Sequence, residues 1–156
     1  RETWVDGRTS ASSGTAKVSA HRSIGGHAID GFESVLAYLD VNTKPEGTSP
    51  TLDIRLQRAV VPNPDEDTDA HWDTFLAFSQ VTDSAAVEKV AIASSMAITF
   101  IGSQIDFEEN RDAATAERTR PGPWGDVIRV VEAMGGTVTT AAVWSLHITG
   151  TLRASD

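Results

Sequence analysis

Cysteine is absent from the 156 residues, which excludes disulfides, zinc–thiolate centres, iron–sulfur ligation and thiol nucleophiles together. Rigidity must then come from packing or from assembly. Long apolar runs are also missing. The nearest candidate, Val87 to Ile105, is interrupted by Glu88, Lys89 and Gln104 and falls short of the roughly 18 to 20 clean residues a membrane span needs. The start, Arg1-Glu2-Thr3-Trp4, has no apolar stretch of the kind a secretory leader carries, so none is expected there. Positive charge is scarce: 13 basic against 22 acidic residues gives a formal net charge of −9. Such a surface repels phosphate backbones, and Arg111, Arg118 and Arg120 are too few to make a basic patch. Neither nucleic acid nor membrane is expected as a partner.

The residues that are present alternate. Val35, Ala37, Leu39 and Val41 fall on one side of an extended chain, and Leu36, Tyr38 and Asp40 on the other, which is strand patterning. Lys44-Pro45-Glu46-Gly47 punctuates the run as a turn. Leu52, Ile54 and Leu56 then alternate with Asp53, Arg55 and Gln57, so a hairpin is expected. Further strands are expected near Trp72–Phe78, Val87–Ala93, Met96–Ile101, Val127–Ala133 and Ala142–Arg153. Ala85 to Met96 has enough alanine to be a helix instead, although Val90, Ile92, Ile98 and Phe100 fit alternation better. Gly135-Gly136-Thr137 reads as the turn between the last two strands, and Trp144, Leu146, Ile148 and Leu152 as the inward side of the final one. Val61 to Asp69 and Asn110 to Pro123 read as loops. Residues 1–14, with Trp4 and Val5 followed by a Gly/Ser/Thr/Ala stretch, read as a flexible N-terminal arm. The expectation is an all-β protein: one antiparallel β-sandwich domain over 15–156, jelly-roll or immunoglobulin-like, of about seven or eight strands.

Chemistry is hard to find. Asp65, Asp67 and Asp69 have the spacing that opens a calcium loop, but Ala70 and Leu76 stand where that loop needs glycine and glutamate. A solvated acidic loop is the simpler reading of Asp65 to Asp69. His21, His27, His71 and His147 form no metal-ligand pattern. His71, between Asp69 and Asp73, reads as a loop histidine rather than a catalytic base. Glu108 and Glu109 are neighbours that a strand would point to opposite faces. The glycine pairs Gly25-Gly26 and Gly135-Gly136 lack the lysine and helix of a phosphate-binding loop. No enzyme activity and no cofactor is expected. Aromatics make up only 6% of the chain, yet four are tryptophan. Trp144 falls at an inward strand position. Trp4, Val5, Trp72 and Trp124 are the candidate partner contacts, since exposed indoles serve as protein anchors or sugar-stacking platforms.

The phrase Gly47-Thr48-Ser49-Pro50-Thr51-Leu52-Asp53-Ile54-Arg55-Leu56-Gln57 resembles an element of small structural proteins of tailed-bacteriophage virions. Trp72-Asp73-Thr74-Phe75, Phe78-Ser79-Gln80-Val81-Thr82 and the V-I-R-V strand, Gly-Thr turn and closing strand of Val127 to Ile148 share the resemblance. It spans residues 33 to 153 and departs at the acidic insertion Pro62–His71 and the loop Asn110–Pro123. The resemblance implies a β-sandwich of the head decoration, or capsid cement, type and no catalytic residue. Its implied partners are the major capsid protein and further copies of itself, a trimer before a dimer. Its implied place is the outer capsid surface, after synthesis in the host cytoplasm. A tail or baseplate component and a carbohydrate-binding β-sandwich module using Trp72 or Trp124 are the alternatives.

Overall fold

A computed structural model describes residues 1–84 and 124–153, together with the strand backbone of 88–94 and 118–119. The strand expected over 96–101, the carboxylates Glu108 and Glu109, and most of the loop 110–123 lie outside the described residues. The described chain is all-β. Eight strands have six residues or more: β1 (Glu2–Ser10), β2 (Gly14–His21), β5 (Phe32–Thr43), β6 (Glu46–Ala59), β7 (Trp72–Ala77), β8 (Glu88–Ser94), β10 (Ile128–Thr140) and β11 (Ala142–Leu152). Three have two residues: β3 (Ser23–Ile24), β4 (His27–Ala28) and β9 (Arg118–Thr119). The chain over Glu88–Ser94 is strand, so the helical alternative for that stretch is set aside.

The long strands and β9 form two antiparallel sheets, ordered β1-β11-β5-β8 and β2-β10-β6-β7-β9, and β3 pairs with β4 as a separate two-stranded ribbon. Each long strand of the first sheet has its sequence neighbour at the same place in the second. With the eight long strands counted in chain order, the sheets read 1-8-3-6 and 2-7-4-5, which is the strand order of a jelly roll. The chain therefore crosses between sheets wherever two long strands meet at a short connection. The crossings are residues 11–13, Lys44-Pro45 and Ala141.

These crossings correct two expectations. β5 and β6 are not a hairpin: β5 pairs with β11 and β8, whereas β6 pairs with β10 and β7. Gly135-Gly136-Thr137 is not a turn but an irregularity within β10, where the register to β6 shifts between Gly135 and Thr137. Alternation specifies which face of a strand is buried, not which neighbour it pairs with. Glycine is required there for a steric reason. Gly136 has φ +73°, and a Cβ on it would meet the Ser49 carbonyl oxygen at 2.1 Å.

Both sheets contribute to one core. Val35, Ala37, Leu39, Val41, Trp144, Leu146 and Ile148 come from the first; Leu52, Ile54, Leu56, Ile128, Val130 and Met134 come from the second. The inward alternation of β5 and β6 is thus as expected. Leu152 is not: it is 44% exposed, because the register with β5 slips between Thr151 and Leu152.

The N-terminal arm is the largest correction. Residues Glu2–Ser10 form β1, paired with β11 from Glu2↔Ile148 to Ser10↔Ala142, and Gly14–His21 form β2, paired with β10. Trp4 and Val5 are 5% and 7% exposed. Besides that ladder and the burial of Trp4 and Val5, a carboxylate holds the segment. The ladder between β10 and β6 is regular from Ile128 to Gly135, so Glu132 shares the core face with Ile128, Val130 and Met134. A buried carboxylate must be paired, and β1 supplies the partners. Arg8 donates from Nη2 and Nε to Oε1 (2.6 and 3.2 Å), and the Ser10 hydroxyl donates to Oε2. Trp144 Nε1 in turn donates to Ser10 Oγ (3.0 Å).

Candidate functional site

At one end of the sandwich the connection from β6 to β7 meets the segment that leads into β10. That connection, Val60 to His71, carries the acidic insertion Pro62–His71, and it is built onto the outer face of the second sheet. Its base is closed by the Val60 amide donating to the His71 carbonyl (2.9 Å). Asp65 turns the chain: its carboxylate accepts from the Asp67 amide (2.9 Å) and from the Thr68 hydroxyl (3.1 Å). Those two bonds hold the Asp65 carboxyl below its ordinary range. His71 is part of the same fold-back, with Nδ1 accepting from the Asp65 amide (3.0 Å).

Two side chains lock this loop to the sheet. Trp72 is 1% exposed and donates from Nε1 to the Asp65 carbonyl (2.9 Å). The Arg129 guanidinium lies 4.3 Å from the centre of the Trp72 ring. Arg129 donates to Gln57 Oε1 (2.7 Å), to the Glu66 carbonyl (2.6 Å) and to Asp69 Oδ1 (3.2 Å). Burial lowers the Arg129 pKa, with Asp69 pulling the other way. At 3% exposure each of its three nitrogens donates a hydrogen bond, and the Trp72 ring covers its face. Arg129 and Gln57 sit on the outer face that alternation assigns to solvent, and the acidic loop covers them. Lys17 of β2 adds a surface pair to Asp67 (2.8 Å). The three alternate aspartates therefore face three different partners, namely backbone, Lys17 and Arg129. No group of three or more metal-ligating side chains occurs among the described residues.

Beside the lock lies an open cleft of about 460 Å³, lined by Arg58, Val60, Val61, Pro62, Gly125 and Asp126 among others. Its floor is stiff. Ala59 donates from its amide to the Val127 carbonyl (2.9 Å), and Gly125, at φ +69°, comes so close that a Cβ would stand 2.3 Å from the Ala59 carbonyl oxygen. Ala59, Trp72 and Val127 form a small apolar cluster beneath it. Arg58 is matched by Asp73 at 2.9 Å. Val60 is 51% exposed, the most exposed large apolar side chain among the described residues.

The candidate contacts do not stand where sequence reasoning put them. Trp72 and Trp124 are each 1% exposed and Trp4 and Val5 are buried, so none of the four offers a free face. Trp124 donates from Nε1 to the Phe32 carbonyl (2.8 Å) and packs edge-on against Phe75. Sugar stacking on Trp72 or Trp124 is thereby removed, since it needs a solvent-facing indole. The tryptophans are fasteners: three donate their indole N–H to the fold, and Trp4 stacks on His21 with ring centres 4.3 Å apart. Val60 and Arg129 were the missed residues. A valine beginning a loop gives no sign of exposure. An arginine between Ile128 and Val130 gives a faint sign of burial, because apolar neighbours continue on both sides.

His21 carries a pH dependence. Burial lowers its pKa from the ordinary 6.5, while the charge of Glu2 and a hydrogen bond to the Trp4 backbone act in the opposite direction. The unfolded chain then takes up this proton first as pH falls. The neutral ring's contribution is present above about pH 6.5 and is lost as pH falls through that value toward the folded pKa. Urea midpoints should decline from pH 7.5 to 5.5, and His21→Phe, which retains a ring against Trp4, should flatten that decline. An unchanged slope in the variant would assign the dependence elsewhere.

Compared with protein-family models, curated proteins and solved structures, the chain matches none.

Proposed function

We propose that this chain is a structural protein of a tailed-phage virion, of the head decoration type, that binds the outer capsid surface and stabilises the shell through protein contacts without catalysis. The observation that carries this reading is the preformed acidic loop. A binding element already fixed by Trp72 and Arg129 loses little conformational freedom on docking, so more of its contact energy appears as affinity. The jelly-roll strand order supports the reading by analogy, being frequent among viral capsid proteins, though it also occurs in lectins. The major capsid protein is the proposed partner, with a trimer of this chain ahead of a dimer as its form on the shell. Binding present only in the assembled particle raises particle stability by mass action.

The test is co-sedimentation of the purified protein with mature heads of the encoding phage prepared without it, with light scattering for its mass in solution. Saturation at a fixed ratio to shell subunits, with heads that survive higher temperature, is the expected result. No binding to heads but binding to tails or baseplates would move the protein to the tail. Binding to neither would end the virion reading.

A further inference from the structure

The cleft next to the acidic loop joins an exposed apolar surface, Val60 and Pro62, to the exposed carboxylate of Asp126. Val60, Val61 and Pro62 form one wall, while Gly125 and the exposed Asp126 form the other. Pro62 leads directly into the acidic loop, and the three residues to Asp65 span at most about 11 Å of chain. The Asp65 and Glu66 side chains have no cation within ion-pairing distance among the described residues, whereas Arg58 is matched by Asp73. The cleft is open and its floor is held by the Ala59–Val127 bond and the close approach of Gly125. A partner therefore meets it ready-made.

Resting on the proposed function, we infer that this cleft seats an apolar side chain of a shell-subunit segment, with a lysine or arginine beside it that faces Asp126 and the acidic loop. Charge selects this occupant. A second copy of the chain would bring its own acidic loop to an acidic rim, and like charges across an interface oppose docking. A basic flank on an apolar anchor satisfies both walls: the anchor leaves water against Val60 and Pro62, and the cation approaches Asp126.

The same co-sedimentation assay, run with Val60→Glu, Asp126→Lys and a control, Thr149→Glu on the exposed face of β11, tests the assignment. Val60 and Asp126 are exposed, so both variants should melt like the parent protein. Each should bind heads at least about tenfold more weakly, the loss expected for an anchor at the centre of a contact, while Thr149→Glu binds as the parent does. Parent-like binding by both cleft variants overturns the inference and leaves the decoration role standing. A solution oligomer dissolved by Val60→Glu would also overturn it, by making the occupant a second copy. If the parent protein itself fails to bind heads, the decoration role fails and the inference falls with it.

Discussion

Trp72→Ala should cost about 4 kcal/mol of folding stability, in the range measured when a buried aromatic is cut to alanine. Against a total of about 5–15 kcal/mol for a typical domain, that is a large share. The indole has three jobs. It fills the cluster with Ala59 and Val127, it donates to the Asp65 carbonyl at 2.9 Å, and its face carries the Arg129 guanidinium. Without it, Arg129 loses its cover and the loop loses its inner anchor. Proteolysis within residues 61–70 should therefore accelerate under conditions where the sheets remain intact. Trp72→Phe separates these roles, since it keeps a ring under Arg129 but loses the hydrogen bond. It should cost less, about 1–2 kcal/mol for the leftover carbonyl and the smaller ring. A double-mutant cycle of Trp72→Phe with Arg129→Met would measure the coupling directly. Equal proteolysis of parent and Trp72→Ala at the loop would show that something other than this lock holds it.

Glu132→Ala should cost about 3 kcal/mol, since removing one member of a buried charged network leaves its partners unmatched. Ser10 and Trp144 lie in the buried part of that network. Arg8 can still reach water, with 39% of its side chain exposed, which keeps the cost below that of stranding a fully buried charge. The damage should be local. β1 is an edge strand with two irregularities in its register to β11, so it depends on side-chain anchors more than a central strand does. Amide exchange along residues 2–10 should lose most of its protection while β10 and β6 keep theirs. Glu132→Gln, which preserves shape and an acceptor oxygen, should fall between. Uniform loss of protection across both sheets would mean that β1 is no separate unit and that the carboxylate serves the whole core.

The difference between these two sites and the rest of the protein shows where sequence reading works. Val35, Ala37, Leu39 and Val41 of β5 and Leu52, Ile54 and Leu56 of β6 were assigned to the core by alternation, and each is at most 2% exposed. Trp144 was assigned to the same core and is fully buried. Burial of one face is a local property, written in every second residue. The outer face of the second sheet is not legible in the sequence, because Gln57 and Arg129 look like solvent-facing residues until the acidic loop is laid over them. The arm was misread for the same reason. Residues 1–14 hold too few apolar groups to announce a strand, and the carboxylate that anchors them lies more than a hundred positions away at Glu132.

By itself the sequence determined the all-β class, the inward faces of the central strands, the absence of thiol chemistry and the acidic character of the surface. Those follow from composition and from a two-residue period, and neither depends on what a strand packs against. Only the tertiary structure decided that β5 and β6 part into different sheets, that β1 completes a jelly-roll edge, and that the tryptophans are fasteners. It also decided that Val60, the most exposed large apolar side chain among the described residues, lines a cleft. Pairing partners, covering loops and the mates of buried charges are set by contacts between residues far apart in the chain. Their energies are realised only when both ends are in place.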